Sequence, residues 1–133
     1  MPRIAALDRE QVGPRTQALL DAVNQALGVT PNMMRTMAQS NALLDGYLAL
    51  NNALAKGSLG RKLGEQIALL TAEQNGCNYC ASAHTALGKH AGLTDSDITA
   101  AREGRATESR AQAALFLARA VIETRGHVSD ADL

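Results

Sequence analysis

The chain has 133 residues, with 13 basic and 13 acidic side chains, so its formal net charge is zero. A chain of this length is sufficient for one domain with a single core. Neither sign of charge is gathered into a block, which argues against DNA, RNA and anionic membrane surfaces as partners.

The beginning of the chain predicts a cytoplasmic protein. Charged side chains, from Arg3 to Arg15, interrupt the first twenty residues, where a signal peptide needs an unbroken apolar stretch. No later window approaches the roughly 18 apolar residues of a membrane span. Because the cytoplasm keeps thiols reduced, the two cysteines of the chain favour a catalytic or metal-binding pair over a structural disulfide.

Apolar residues recur at helical spacing, and no run of β-branched residues predicts a strand, so we expect an all-α domain. With two Tyr, one Phe and no Trp, its core must be aliphatic. Six helices are predicted from the pattern of apolar stripes, caps and breaks. The first runs from Pro14 to Gly28, the second from near Asn32 to Gly57, and the third from Ser58 as N-cap to Asn75-Gly76. The fourth carries the cysteines and ends at Gly92. The fifth begins at the capping box of Thr94 and Asp97, and the sixth runs from about Ala113 to near Gly126.

The last residues, VSDADL, repeat the pattern of LTDSDI at residues 93–98, which announces a helix. The second copy is not followed by a helix. We therefore expect a single domain over residues 1–133 that is truncated at its C-terminus.

The stretch NGCNYCASAH, residues 75–84, holds both cysteines. In a helix, Cys77, Cys80 and His84 fall within an arc of about 60° on one face, so they can act together. The break at Gly76 places Cys77 in the first turn, where free N–H groups and the helix dipole favour a thiolate. Once one sulfur is oxidised to a sulfenic acid, the other is close enough to condense with it.

A histidine beside this pair can take or relay a proton. Glu65, on the preceding helix, can orient His84 if the two helices pack antiparallel. Two other interpretations stay open from the residues alone. The cysteines can be small hydrophobes in a core, or Cys77, Cys80 and His84 can be three ligands of a zinc site with Glu65 as a fourth, although no second Cys-x-x-Cys or His pair is present.

The spacing of Glu65, Cys77, Cys80 and His84 resembles the Glu-x11-Cys-x2-Cys-x3-His signature of the alkylhydroperoxidase AhpD-like branch of the carboxymuconolactone decarboxylase superfamily. The stretch LGEQIALLTAEQNGCNYCASAHTALGKHAGLT is similar to the core helical pair of that family, and PNMMRTMAQSNALLDGYLALNNAL to the helix before it.

The resemblance implies an all-helical AhpD-like fold built around an antiparallel helix pair that carries the Cys-x-x-Cys, assembled as a homo-oligomer, often a trimer or hexamer. It implies that Cys80 attacks the peroxide, that Cys77 resolves the product as a disulfide, and that Glu65 and His84 relay protons. Helix position by itself favours Cys77 as the more reactive thiol, and we follow the family. The best-characterised members have a second histidine where this chain has Tyr79, so the relay is shorter here or passes through a phenol or water.

The function predicted in this way is that of a thiol peroxidase acting on hydrogen peroxide or organic hydroperoxides, with no metal, flavin or haem. An external dithiol, lipoyl-like or thioredoxin-like, reduces the disulfide. Two rival functions are kept. One is a decarboxylase or lactone-type enzyme on the same fold, which as the resemblance implies does without the cysteine pair; the other is a redox-sensing oligomeric module without turnover.

Overall fold

A computed structural model describes residues 3–133, and these contain seven α-helices and no strand. The all-α prediction is confirmed. The helices are α1 (Pro14–Leu27), α2 (Asn32–Met37), α3 (Asn41–Leu54), α4 (Gly60–Gln74), α5 (Asn78–His90), α6 (Asp95–Arg102) and α7 (Ser109–Glu123), with short 3-10 helices at Arg9–Gln11 and Asp130–Asp132. Backbone contacts divide the chain into two compact units, a first unit up to Lys56 and a second unit from Gly57. That the whole chain is one domain stays a prediction.

The first unit consists of α1, α2 and α3 around a small aliphatic core. Its buried members are Leu20, Val23, Met34, Ala38 and Leu44. The single helix predicted from Asn32 to Gly57 is wrong, because the chain leaves the helical conformation at Ser40. The hydroxyl of Ser40 accepts a hydrogen bond from the Leu43 N–H at 3.3 Å. Ser40 therefore acts as the N-cap of a new helix, α3, rather than as an interior residue.

The second unit is organised around α4, which packs against each of α5, α6 and α7. Leu69 and Leu70 of α4 have no exposed surface. Leu69 forms a buried cluster with Leu93, Ile98 and Ala101, which lie after α5 and on α6. Since fully burying one leucine stabilises a fold by about 1.5–3 kcal/mol, these contacts fix α4 among its neighbours.

The predicted start of α4 is wrong by one residue. Its N-cap is Leu59 rather than Ser58, and no side chain caps it. Gly60 has φ +74°, a left-handed conformation that separates the turn containing Ser58 from the helix. The Ser58 carbonyl instead accepts a hydrogen bond from Arg110 on α7. Of the predicted apolar stripe, Leu63 and Leu70 are buried, whereas Leu59 is exposed.

The predicted capping box at the start of α6 is confirmed. The Asp97 N–H donates to the Thr94 hydroxyl at 3.1 Å, and the Thr94 N–H donates to the Asp97 carboxylate at 2.9 Å. The hydrogen bond from the Thr94 backbone, then that from its hydroxyl, holds the pKa of Asp97 below its usual range, and Lys62 adds to the effect. The carboxylate is therefore favoured in the folded state.

We expect Asp97→Asn to lower the stability of the second unit near neutral pH, because the amide loses the charge-assisted bond to the Thr94 N–H. The native pKa of Asp97 is lowered, so its contribution is present above the pKa of the unfolded chain and is lost as pH falls through the native pKa. Urea unfolding of both proteins at pH 7 and in acid measures this. The control is Asp130→Asn, which removes the same charge outside α6; an equal loss in both variants at pH 7 would contradict the capping role.

Candidate active site

The turn between α4 and α5 places Cys77 at the start of α5. Gly76 has φ +60°, a left-handed conformation that residues with a Cβ adopt at a cost. Cys77 is the N-cap of α5, and its Sγ accepts a hydrogen bond from the Cys80 N–H at 3.2 Å. The sequence predicted Cys77 in the first turn, and the structure places it immediately before that turn. A sulfur at this place meets the positive end of the helix dipole.

Cys77 and Cys80 form a disulfide, with their Cα atoms 5.3 Å apart. The described residues contain no free cysteine. Both side chains are half-buried, so the sulfurs lie near the surface rather than in the core. The interpretation as two independent small hydrophobes does not describe this arrangement, because the two residues are covalently joined within one turn.

Glu65 of α4 contacts His84 of α5. The distance from Glu65 Oε2 to His84 Nδ1 is 2.8 Å, and the two side chains are 16% and 34% exposed, respectively. A carboxylate only accepts hydrogen bonds, so Nδ1–H donates and a neutral ring carries its lone pair on Nε2. The carboxylate thereby fixes both the orientation and the tautomer of the imidazole.

His84 and Cys80 lie one helical turn apart on α5, and Cys77 precedes that helix as its N-cap. Since residues one turn apart are neighbours on a helix surface, Cys80 is the cysteine nearer to the imidazole along the helix. Cys77, Cys80 and His84 are all half-buried.

The chain segment that holds the disulfide carries no charge. Asn75, Gly76, Asn78 and Tyr79 are all exposed, and residues 74–83 contain no acidic or basic side chain. The Tyr79 ring is 61% exposed. It therefore lies mainly in solvent, between the two cysteines in the chain, which leaves it available to a molecule that approaches the sulfurs.

Within residues 3–133 no group of three or more His, Cys, Asp or Glu side chains is arranged to hold a metal ion. Neither is any helix in this part of the chain long and apolar enough to cross a bilayer. The other two histidines, His90 and His127, are exposed and lie away from the cysteines in sequence.

Comparison with known families gives one match, and it covers the helices just described. The model of the carboxymuconolactone decarboxylase family matches residues 41–123, more than half of the chain, from the start of α3 to the end of α7. The chain belongs to the carboxymuconolactone decarboxylase family. This family includes AhpD-like proteins, and its members are often enzymes. No curated protein matches the chain.

One feature of this carboxymuconolactone decarboxylase family member has no signal in the local sequence pattern. Glu73 pairs with Arg102 of α6, 29 residues later, at 2.7 Å. The pair lies at the C-terminal end of α4, beside the turn that leads to Cys77. Only the packing of α4 against α6 brings these residues together.

The capping role of position 77 can be measured without the disulfide. We expect the double variant Cys77→Ser, Cys80→Ala to be more stable than Cys77→Ala, Cys80→Ala by about 1 kcal/mol, because a serine hydroxyl can accept the residue 80 N–H and alanine cannot. Urea unfolding gives the difference, and neither variant contains a thiol, so redox state does not enter. Equal stability would contradict the N-cap assignment.

Proposed function

We propose that the protein is a thiol peroxidase that reduces hydrogen peroxide or organic hydroperoxides. The observation that carries this proposal is the disulfide between Cys77 and Cys80 at the start of α5, the helix that also bears His84, whose imidazole contacts Glu65. Such an arrangement provides a nucleophile, a resolving thiol and a base in one place. It needs no metal or organic cofactor for its chemistry.

In the oxidative half of the cycle, the reduced Cys80 thiol gives its proton to Nε2 of His84 and attacks the distal oxygen of the hydroperoxide. The O–O bond breaks, Cys80 becomes a sulfenic acid, and the alkoxide leaves as the alcohol after taking the proton from His84. The Cys77 thiol then attacks the Cys80 sulfur, so that a disulfide forms and one water molecule leaves. Two electrons pass from the thiol pair to the peroxide.

In the reductive half, an external dithiol, lipoyl-like or thioredoxin-like, returns two electrons. Its thiolate attacks Cys80 and expels Cys77, and its second thiol then releases Cys80, which leaves both cysteines reduced and the donor as a disulfide. The position of Cys77 suits the leaving group, because its Sγ is the acceptor for the Cys80 N–H at the positive end of α5. This role also reconciles the helix position of Cys77 with the assignment of peroxide attack to Cys80.

The assignment of the two sulfurs leads to a direct measurement. After one equivalent of hydrogen peroxide, we expect mass spectrometry to find an intramolecular disulfide in the reduced wild type and a trapped sulfenic acid on Cys80 in Cys77→Ser. In Cys80→Ser, Cys77 should react much more slowly. A sulfenic acid that forms faster in Cys80→Ser than in Cys77→Ser would reverse the roles; free thiols in all three proteins would end the redox proposal.

The role of the imidazole is tested by turnover. With dihydrolipoamide as donor, we expect sustained peroxide consumption by wild type and a loss of about 100-fold in kcat/KM for His84→Gln, a magnitude typical of a missing general base. The matched control is His90→Gln, the same substitution at an exposed position of the same helix, which should retain wild-type activity. Equal losses in both variants would argue against a specific role for His84.

The same assay separates the rivals. A redox-sensing module would be oxidised once and would show no sustained consumption, whereas a decarboxylase or lactone-type enzyme would not need the dithiol. The decarboxylase or lactone-type function is supported by the name of the matching family, which comes from a decarboxylase. The disulfide next to an oriented histidine favours the peroxidase over both.

Assembly as a homo-oligomer, a trimer or hexamer, is part of the proposal. Its support is the apolar surface of α7, where Phe116 is 53% exposed and Val121 44% exposed. Contiguous exposed apolar side chains are typical of protein interfaces. The antiparallel orientation of α4 and α5, the cytoplasmic location, the peroxide and the dithiol partner remain proposals alongside it.

A further inference from the structure

An arginine of the second unit, remote in sequence from the cysteines, carries a positive charge that no carboxylate of the described residues balances. Arg119 of α7 is half-buried, and its Nη2 donates to the Glu103 carbonyl at 2.6 Å. Its Nε is buried and has no acceptor. No ion pair in residues 3–133 involves Arg119. A partly desolvated cation without a counter-ion lowers the stability of a fold, so its presence needs a structural or functional explanation.

Arg119 lies in the wall of a cavity of about 330 Å³. The other lining residues are Glu73, Gln74, Thr99, Arg102 and Glu103. Both carboxylates of this wall already have partners, since Glu73 pairs with Arg102 and Glu103 pairs with Arg105. The Arg119 charge is therefore in excess, and the cavity is suited to a small anion.

The backbone beside the guanidinium makes room for it. Gly104 has φ +72°, and a Cβ at this position would overlap the Arg119 side chain, at 2.6 Å from Cζ. Any other residue would therefore have to displace the guanidinium from the cavity wall, in addition to the strain of a left-handed conformation.

Arg102 also lines a second cavity, of about 480 Å³, which runs along α5. Its remaining wall consists of Asn78, Ala81, Ser82 and Thr85, all uncharged. Asn78 follows Cys77 in the chain and Ala81 follows Cys80, so this cavity lies about 100° around α5 from the face of Cys80 and His84, on the neighbouring face. The seven helical steps from Asn78 to Thr85 correspond to about 10 Å along the helix axis.

We propose that the first cavity binds the carboxylate of the substrate, and that the preferred peroxides are short organic hydroperoxides that carry a carboxylate group. Arg119 supplies the uncompensated charge, and Arg102, which lines both cavities, connects the carboxylate site with the side of α5 that borders the cysteines. A carboxylate suits this wall because guanidinium groups bind planar carboxylates through paired, charge-assisted hydrogen bonds. The lining of the second cavity, which is Arg102 and mainly polar side chains of α5, favours a short ligand over a long acyl chain. This substrate assignment rests on the proposed peroxidase function.

The carboxylate site is tested first by binding, which does not depend on turnover. We titrate the disulfide form with benzoate and follow NMR chemical shifts, with benzamide as the uncharged analogue. Saturable binding of benzoate alone is expected, with affinity lowered about tenfold or more in Arg119→Met, because a charged hydrogen-bond partner is lost. Gly104→Ala, which keeps every charge but displaces the guanidinium, should weaken binding as well. Arg125→Met, which removes a charge outside both cavities, should bind as wild type does.

Three results would overturn the site. The first is equal binding of benzoate and benzamide, and the second is an unchanged affinity for benzoate in both Arg119→Met and Gly104→Ala. The third is binding of inorganic phosphate in preference to benzoate. Thermal unfolding of each variant shows whether it is folded. If Arg119→Met does not fold, Arg119→Lys replaces it, since a lysine keeps the charge and loses the planar, bidentate geometry.

The substrate class is tested by kinetics with cumene hydroperoxide and its para-carboxyl derivative. We expect wild type to prefer the carboxylated peroxide in kcat/KM and the ratio to fall about tenfold, towards one, in Arg119→Met, with Arg125→Met unchanged. Turnover of both peroxides without a preference would overturn the substrate class while leaving the peroxidase function intact. No turnover of either would overturn the peroxidase function and with it the substrate class, and the benzoate titration would then decide the carboxylate site alone.

Discussion

Helix α4 buries Leu69 and Leu70 completely and packs against α5, α6 and α7. This burial sets the rotation of the helix about its axis, because its leucines must face inward. Glu65 lies four residues before Leu69, so it projects from the same side one turn earlier. The apolar contact that stabilises the second unit therefore also directs a carboxylate to His84.

The two carboxylates of α4 serve two different neighbours. Glu65 accepts from His84 on α5, and Glu73, eight residues later on a similar face, accepts from Arg102 on α6. Leu69 lies midway between them and is packed in the core. One helix thus contacts the imidazole of α5 and a guanidinium of α6 that lines two cavities.

The sulfurs depend on backbone geometry rather than on packing. The left-handed turn at Gly76 ends α4, and Cys77 then caps α5 through its side chain. A sulfur in that position alternates between a disulfide and a hydrogen-bonded thiolate with little movement of the backbone, because the Cys80 N–H serves as donor in the same turn. In the proposed cycle this limits the reorganisation between the oxidised and reduced states, and the half-buried surface lets peroxide and dithiol reach the same atoms.

The sequence by itself determined the all-α class, the helix break at Gly76, and the capping box of Thr94 and Asp97. These features depend on contacts within a few residues, for which spacing and cap chemistry are sufficient. It did not predict the break at Ser40 or the start of α4 at Gly60, since apolar periodicity continues through both and the backbone conformation decides between them. Nor did the sequence contain a signal for the Glu73–Arg102 pair or for the packing of the Arg119 side chain against Gly104. Those contacts join α4, α6 and α7 across long separations in the chain, and only the packing of the helices brings the charges together.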